Sequence, residues 1–361
     1  MKNLEDLLEI TDLWTYLEKS DKKKVLYGMG DGADKILDVC GKRGIEISGV
    51  FASDEFVRYQ TFRNFTVKKY SDIKAEFPDP VILVSFATKL DSVMDKIYNL
   101  CETDEVYAPD VPVFGSNLFD GAFFKENFDN FNKVYSLLSD EISKNVYYNV
   151  IKHKLTGKIE CLKDCETPVG EAYSSIIKPG AHSDYVDIGA YNGDTIREYL
   201  YYAKDVNSVT AFEPDIKNFA KLSEYAKTLD ISANLINAAA WDKDEKLTFY
   251  SRSGRNSAYT TNHAGLKPIE IKAVSADNYV KSADYINIDA EGSDLKALCG
   301  LHKTIVNFRP VISCAIYHRS EDMFEIPLYL AKLYGDFEMY IRHFPYIPAW
   351  DTNVYIKNKS E

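Results

Sequence analysis

Long apolar runs, basic clusters and paired cysteines are all missing from this chain. No stretch approaches the roughly 20 apolar residues that a bilayer crossing takes, so no transmembrane segment is expected. The opening Met1-Lys-Asn-Leu-Glu-Asp6 mixes charges among its apolar residues, unlike a secretory leader. Lys and Arg number 43 against 55 Asp and Glu, a net charge of −12 with no basic run. Binding along a nucleic-acid duplex is therefore not expected. Of the six cysteines only Cys161 and Cys165 are close in sequence, and no second pair completes a zinc set. A reduced, cytoplasmic setting fits that usage. What remains is a globular composition, 45% hydrophobic and 27% charged, in 361 residues, enough for two cores.

Leu4, Leu7, Leu8, Ile10, Leu13 and Leu17 recur at helical spacing and predict one helix over residues 1–20. An α/β unit is expected over 21–118. It opens with Val25-Leu-Tyr27 and Gly28-Met-Gly30-Asp-Gly32-Ala33, a Gly-x-Gly-x-x-Ala variant of the dinucleotide turn. Asp54 follows the second strand, where an acid could take ribose hydroxyls, and Val81–Ser85 reads as a buried strand. This unit either holds a nucleotide-like ligand or is a scaffold whose glycines serve the tight turn. Pro109, Pro112 and Gly115 break the chain, and 119–173 reads as a helical connector faced by Phe123, Phe124, Phe128, Phe131, Tyr135, Tyr147 and Tyr148.

Over 174–361, strand and helix patterns alternate. Strands are expected at Tyr185–Gly189, Ser208–Glu213, Asn234–Ala239, Asp284–Asp289 and Val311–Ile316. Such alternation implies a mostly parallel sheet with its ligand site outside the carboxyl ends of the strands. Phe337–Arg342 and Asn353–Lys357 have no helix between them and should pair antiparallel. The first strand runs into Asp187-x-Gly189-x-x-x-Gly193, followed by a helix start at Asp194 and Thr195. Glycines there let backbone approach a ligand, but the spacing is not that of a pyrophosphate clasp and points to S-adenosylmethionine. The cofactor set is Asp187, Gly189, Ala190, Asn192, Gly193, Asp194 and Thr195, with Glu213 for the ribose hydroxyls, Asn237 and Ala239 at the end of the third strand, and Asp289. A bulky residue at Gly189 is expected to abolish cofactor binding and leave the fold intact. Arg342 and His343 are placed at the same rim, as a contact for a sugar phosphate. Ser251–Ser257 reads as a solvated polar loop that could also recognise an acceptor.

The segments Val186-Asp-Ile-Gly-Ala-Tyr-Asn-Gly-Asp-Thr195, Phe212-Glu-Pro-Asp215, Ser275-Ala-Asp-Asn-Tyr279, Ile288-Asp-Ala-Glu-Gly292 and Arg309-Pro310 resemble the FkbM-type class I S-adenosylmethionine-dependent methyltransferases, over roughly Ser174 to Lys357. One departure is Asn287, where the family often has Lys. The resemblance implies a Rossmann-like class I domain, a mostly parallel seven-stranded sheet with an antiparallel last strand. Before it comes a smaller N-terminal Rossmann-like α/β domain, similar to nucleotide-sugar-binding modules. It also implies O-methylation of a hydroxyl on a sugar, glycan or glycan precursor. A nucleotide-sugar at the N-terminal domain and a homodimer are left open. Competing readings are an NAD-dependent oxidoreductase, a nucleotide-sugar-binding protein, and a non-catalytic S-adenosylmethionine-binding protein.

A sugar hydroxyl needs a base within hydrogen-bond reach. His318 is assigned that role because an imidazole takes up a proton near neutrality, with Asp289 and Glu291 beside it as the other catalytic candidates. The alternatives are that Asp289 caps the following helix, that Glu291 only favours the helix start, and that His318 is a hydrogen-bonded wall residue. A metal-free scheme is preferred to Mg²⁺ or Mn²⁺ held by Asp289, Glu291 and His318.

Overall fold

The computed structural model describes residues 2–251 and 267–359. The first α/β unit contains β1 (Lys24–Tyr27), β2 (Ile47–Phe51), β3 (Thr61–Phe62), β4 (Phe65–Lys68), β5 (Val81–Val84) and β6 (Glu105–Tyr107). They form one sheet in the order β3-β4-β2-β1-β5-β6, parallel except between β3 and β4. Central β1 and β5 are buried throughout, which is why they read as unbroken apolar runs. The order reverses between β1 and β5, so the crevice of this sheet lies between the Gly28 turn and the Ser85–Leu90 loop.

The single helix expected over 1–20 is instead two short ones, Leu4–Leu7 and Leu13–Lys19. Asp12 starts the second by accepting from Thr15 N at 3.1 Å and Thr15 Oγ1 at 2.8 Å. Leu4 and Leu7 join one core while Leu13, Trp14 and Leu17 join another, so one apolar periodicity served two destinations.

The second sheet contains β7 (Ser183–Ile188), β8 (Val206–Phe212) and β9 (Ser232–Ile236). After β9 the chain makes β10 (Ala239–Trp241), β11 (Glu245–Ser251) and β12 (Lys267–Ser275), then returns with β13 (Tyr285–Ile288), β14 (Val311–Ala315), β15 (Phe337–His343) and β16 (Thr352–Asn358). The large sheet runs β15-β16-β14-β13-β7-β8-β9. The last strand, β16, lies antiparallel to both its neighbours, and the other pairings are parallel. The third strand ends at Ile236, earlier than expected. Ala239 to Trp241 leave it for a separate three-stranded sheet, β10-β12-β11, that the sequence pattern did not reveal. Most of the Ser251–Ser257 loop lies outside the described residues. Among the described residues no helix is long and apolar enough to cross a membrane.

The aromatic stretch forms helices Gly121–Glu126, Phe128–Leu137 and Glu141–Thr156. Phe124, Phe131 and Tyr147 bury in the same core as Ile188, Ile286 and Ile316 of the large sheet. Arg342 and His343 end β15 level with the exit of β14, at the rim as expected, but both are buried and not open to a sugar phosphate. Arg342 is buried and donates to Glu171 at 2.6 Å and Asp140 at 2.8 Å. It ties β15 to the preceding helices because a buried guanidinium needs carboxylate partners. His343 is also fully buried, its Nδ1 3.0 Å from Thr352 Oγ1.

Burial holds His153 down to about 4, and burial with the nearby charge of His153 holds His343 down to about 3. Unfolded, both would titrate near 6.5, so the folded chain binds fewer protons below that value. Their stabilising contribution is complete above pH 6.5 and declines as pH falls towards 4, by up to about 1.4 kcal/mol per pH unit for each histidine. The urea midpoint should therefore drop steeply between pH 6 and pH 4. A midpoint that stayed level over that interval would contradict the burial of neutral histidines.

Candidate functional site

At the end of β7, Gly189 takes φ +85°, and its N–H donates to Phe212 O at 3.0 Å. A Cβ there would overlap the carbonyl of Asp289, so the glycine exists to let the exits of β7 and β13 touch. Gly193 (φ +84°) precedes helix Asp194–Tyr202, and a Cβ on it would press against the Tyr225 ring at 2.6 Å. Asp187 is wholly buried and accepts from Thr195 Oγ1 at 2.5 Å and Asn287 Nδ2 at 3.2 Å. Burial pushes its carboxyl up to about 6 against those hydrogen bonds. It ties β7 to β13 and to the helix start, and does not face the cleft. Asn287, the departure from the family pattern, is its neutral partner.

Glu213 follows β8 and is mostly buried. It accepts from Tyr191 N at 2.8 Å and Asp215 N at 2.7 Å. Burial, opposed by those bonds, pushes it up to about 7. Asn237 braces that turn through Nδ2 to Glu213 O at 2.8 Å. Ala190 and Ala239 are buried, Asp194 is exposed, and Asn192 accepts from Arg197 Nη1 at 3.3 Å. Sequence reasoning missed Tyr191, whose N–H bonds Glu213, and Ile216, three residues after Glu213; they leave 42% and 73% of their surface open. This is apolar area next to an acid, suited to a nucleoside.

The second half of the site follows β13 and β14. His318 is buried, with Nδ1 2.9 Å from Asp294 Oδ2, and Nε2 3.2 Å from Asp289 Oδ1 and 3.6 Å from Glu291 Oε2. Burial alone would lower its pKa, but the charge of Asp294 and the bonds to Asp289 and Asp294 outweigh that and hold the ring well above its usual value. This bias toward the charged ring weighs against His318 as the base. Ligand atoms of Asp289, Asp294 and His318 lie within 4.8 Å of one another, close enough to share a cation.

Asp294, which reads in sequence as an ordinary acid of a first helical turn, is the hub of this arrangement. It is buried and also accepts from Ala290 N at 2.7 Å and Gly292 N at 3.1 Å. The two remaining carboxyls are driven apart. Burial would raise Asp289, yet the His318 and Tyr317 hydrogen bonds keep it below the ordinary carboxylate range. Desolvation of the part of Glu291 that faces the site raises its carboxyl to about 7, opposed by His318 and helped by Asp289 and Asp294. Glu291 sits at φ +49° and keeps 59% of its side chain open. Two neighbouring carboxyls with opposed shifts are the signature of an ionised group beside a proton acceptor poised near neutrality.

Two segments from the first α/β unit reach this rim, and nothing in the sequence signalled either. Phe114 donates its N–H to His318 O at 3.0 Å, and its side chain fills the space a Cβ on Gly292 would need. It thereby props the Glu291-Gly292 turn. Thr88 and Ile347 exchange backbone hydrogen bonds of 2.8 and 3.0 Å. The Ile347 loop carries Trp350, whose ring lies 6.4 Å from that of Tyr317 and 5.8 Å from that of Tyr346. At the other glycine turn, a Cβ on Gly32 would meet Ser85 O and one on Gly28 the Phe86 ring, so those glycines are spent on packing β1 against the exit of β5.

Residues 187–347 match the model of the methyltransferase FkbM domain. The crystal structure of methyltransferase FkbM from Methylobacillus flagellatus KT is similar, with a TM-score of 0.71 and 19% identity, over 93% of this chain and 90% of that one. That likeness establishes a shared fold across both sheets. An rRNA methylase from Streptococcus thermophilus gives a TM-score of 0.35 and 13% identity, over 54% of this chain and 98% of that one. No curated protein matches the sequence.

Proposed function

We propose that this chain, whose residues 187–347 match the model of the methyltransferase FkbM domain, methylates a hydroxyl of a sugar, glycan or glycan precursor with S-adenosylmethionine. The observation that carries this reading is the juxtaposition of the Gly189 turn with Asp289, Glu291 and His318, through the contact of Gly189 with the Asp289 carbonyl. Backbone of the Gly189–Gly193 turn would hold the amino-acid end of the cofactor, Glu213 the ribose hydroxyls, and Tyr191 and Ile216 the adenine. When bound, S-adenosylmethionine supplies an electrophilic methyl on a positively charged sulfur.

The remaining work falls to the protein. Glu291 takes the proton of the acceptor hydroxyl onto its carboxylate as oxygen attacks carbon. Asp289 stays charged and orients that hydroxyl, while the His318 imidazolium keeps both carboxylates in place. Tyr317 and Trp350 offer aromatic surface beside the carboxylates, the pairing that suits a sugar's apolar face and its hydroxyls.

Calorimetric titration should detect binding of S-adenosylmethionine and S-adenosylhomocysteine, and none of NAD. Incubation with methyl-labelled cofactor and a panel of hydroxyl acceptors should yield label that survives mild alkali, as an ether does. Binding of NAD in place of the methyl donor, or label found on nitrogen, would overturn the proposal.

A further inference from the structure

The cleft at the ends of β7, β13 and β14 is strongly acidic, and among the described residues its one unengaged cation comes from the loop after β5 of the first sheet. Asp289, Glu291 and Asp351 line the rim, and Glu198 projects from helix Asp194–Tyr202. The nearby cations are already committed. Arg319 Nε donates to Gly292 O at 2.7 Å, and Lys35 Nζ to Val113 O at 2.7 Å. Arg197 lies 3.8 Å over the Tyr225 ring, and His318 is held between carboxylates. Lys89 differs. The two-way pairing of Thr88 with Ile347 fixes its backbone at the rim, and its residue is exposed. Among the described residues it makes no hydrogen bond or ion pair, although its charge acts on Asp289, Asp351 and Glu198, which belong to three separate elements.

We propose that Lys89, delivered by the first α/β unit, anchors an anionic group of a ligand in this cleft. That group is either the carboxylate at the amino-acid end of the cofactor or an acidic substituent of the acceptor. An anion entering between these carboxylates is repelled unless a positive charge meets it, because Coulomb terms are weakly screened in a cleft walled by protein. A flexible ammonium with no internal partner can meet it without first breaking a bond. The assignment rests on the methyltransferase reading, and makes the first unit part of the binding site.

The test compares the wild type with Lys89→Met, which removes the charge at similar length, and with Lys89→Arg. Calorimetry measures S-adenosylhomocysteine against its decarboxylated analogue, then glucuronate and glucose 1-phosphate against glucose on the S-adenosylhomocysteine-loaded protein. Loss of a charge-assisted bond should weaken affinity by about 10- to 100-fold. If the cofactor carboxylate is the partner, Lys89→Met weakens S-adenosylhomocysteine and leaves the decarboxylated analogue unchanged. If the acceptor is the partner, only glucuronate or glucose 1-phosphate weakens. Lys89→Arg should retain most of the affinity in either case. A folded Lys89→Met that binds every probe as the wild type does overturns the assignment and spares the methyltransferase reading. A wild type that binds no S-adenosylhomocysteine overturns both.

Discussion

Replacing Glu291 with glutamine should lower the turnover of methyl transfer by about 10²- to 10⁴-fold, the range typical of a lost general base. Binding of S-adenosylhomocysteine should change little. The amide is isosteric and keeps the backbone at φ +49°, but has no basic oxygen to accept the hydroxyl proton. Wild-type turnover should rise as pH climbs through about 7, where the Glu291 carboxyl ionises, and level off above it. The sign follows from the role: a base works only once deprotonated, and burial keeps this carboxyl protonated at lower pH. Glu291→Gln should lose that limb of the profile. Had His318 been the base, the limb would belong to an imidazole, which Asp294 and Asp289 bias toward its charged form. A Glu291→Gln enzyme with wild-type turnover and an unchanged pH profile would remove Glu291 from the mechanism.

Gly189→Ala should cost about 2–5 kcal/mol of stability and abolish cofactor binding. An alanine at φ +85° carries about 1–2 kcal/mol of backbone strain, and displacing packed atoms adds roughly 1–3 kcal/mol. The Cβ would meet a backbone carbonyl, that of Asp289, which cannot rotate away like a side chain. The expectation of an intact fold after substitution at Gly189 is therefore corrected, since this position joins two strands of the sheet as well as shaping a ligand turn. Gly180→Ala, with open space around its Cβ, is the control. Urea unfolding and calorimetry with S-adenosylhomocysteine decide the matter. Stability and affinity equal to the control would show that the β7 and β13 exits are not in contact.

Local patterns in the chain were enough for the glycine turn after β7, Glu213 after β8 and the antiparallel close of the large sheet. Each depends on residues near one another in sequence: an apolar run, its exit, and the absence of a helix between two strands. The seven-stranded arrangement followed, since parallel strands joined by helices leave few topologies. The break in the first helix was missed because Leu4 and Leu13 share a periodicity and differ only in the core each reaches. Arg342 was read as open to a ligand because a charged residue at a strand end looks solvent-facing until Asp140 and Glu171 are found beside it.

By itself, then, the sequence determined the strand ends and the residue types gathered at the rim of one parallel sheet. Protonation and accessibility there were decided only by the tertiary structure. His318 is biased toward its charged form because Asp294 and Asp289 converge on it. Asp187 is a buried tie because Thr195 and Asn287 close over it. Phe114 and Thr88 pair with His318 and Ile347, each more than 200 residues away in the chain. A charge's pKa depends on the distance and burial of its neighbours, and those quantities exist only once distant segments pack together.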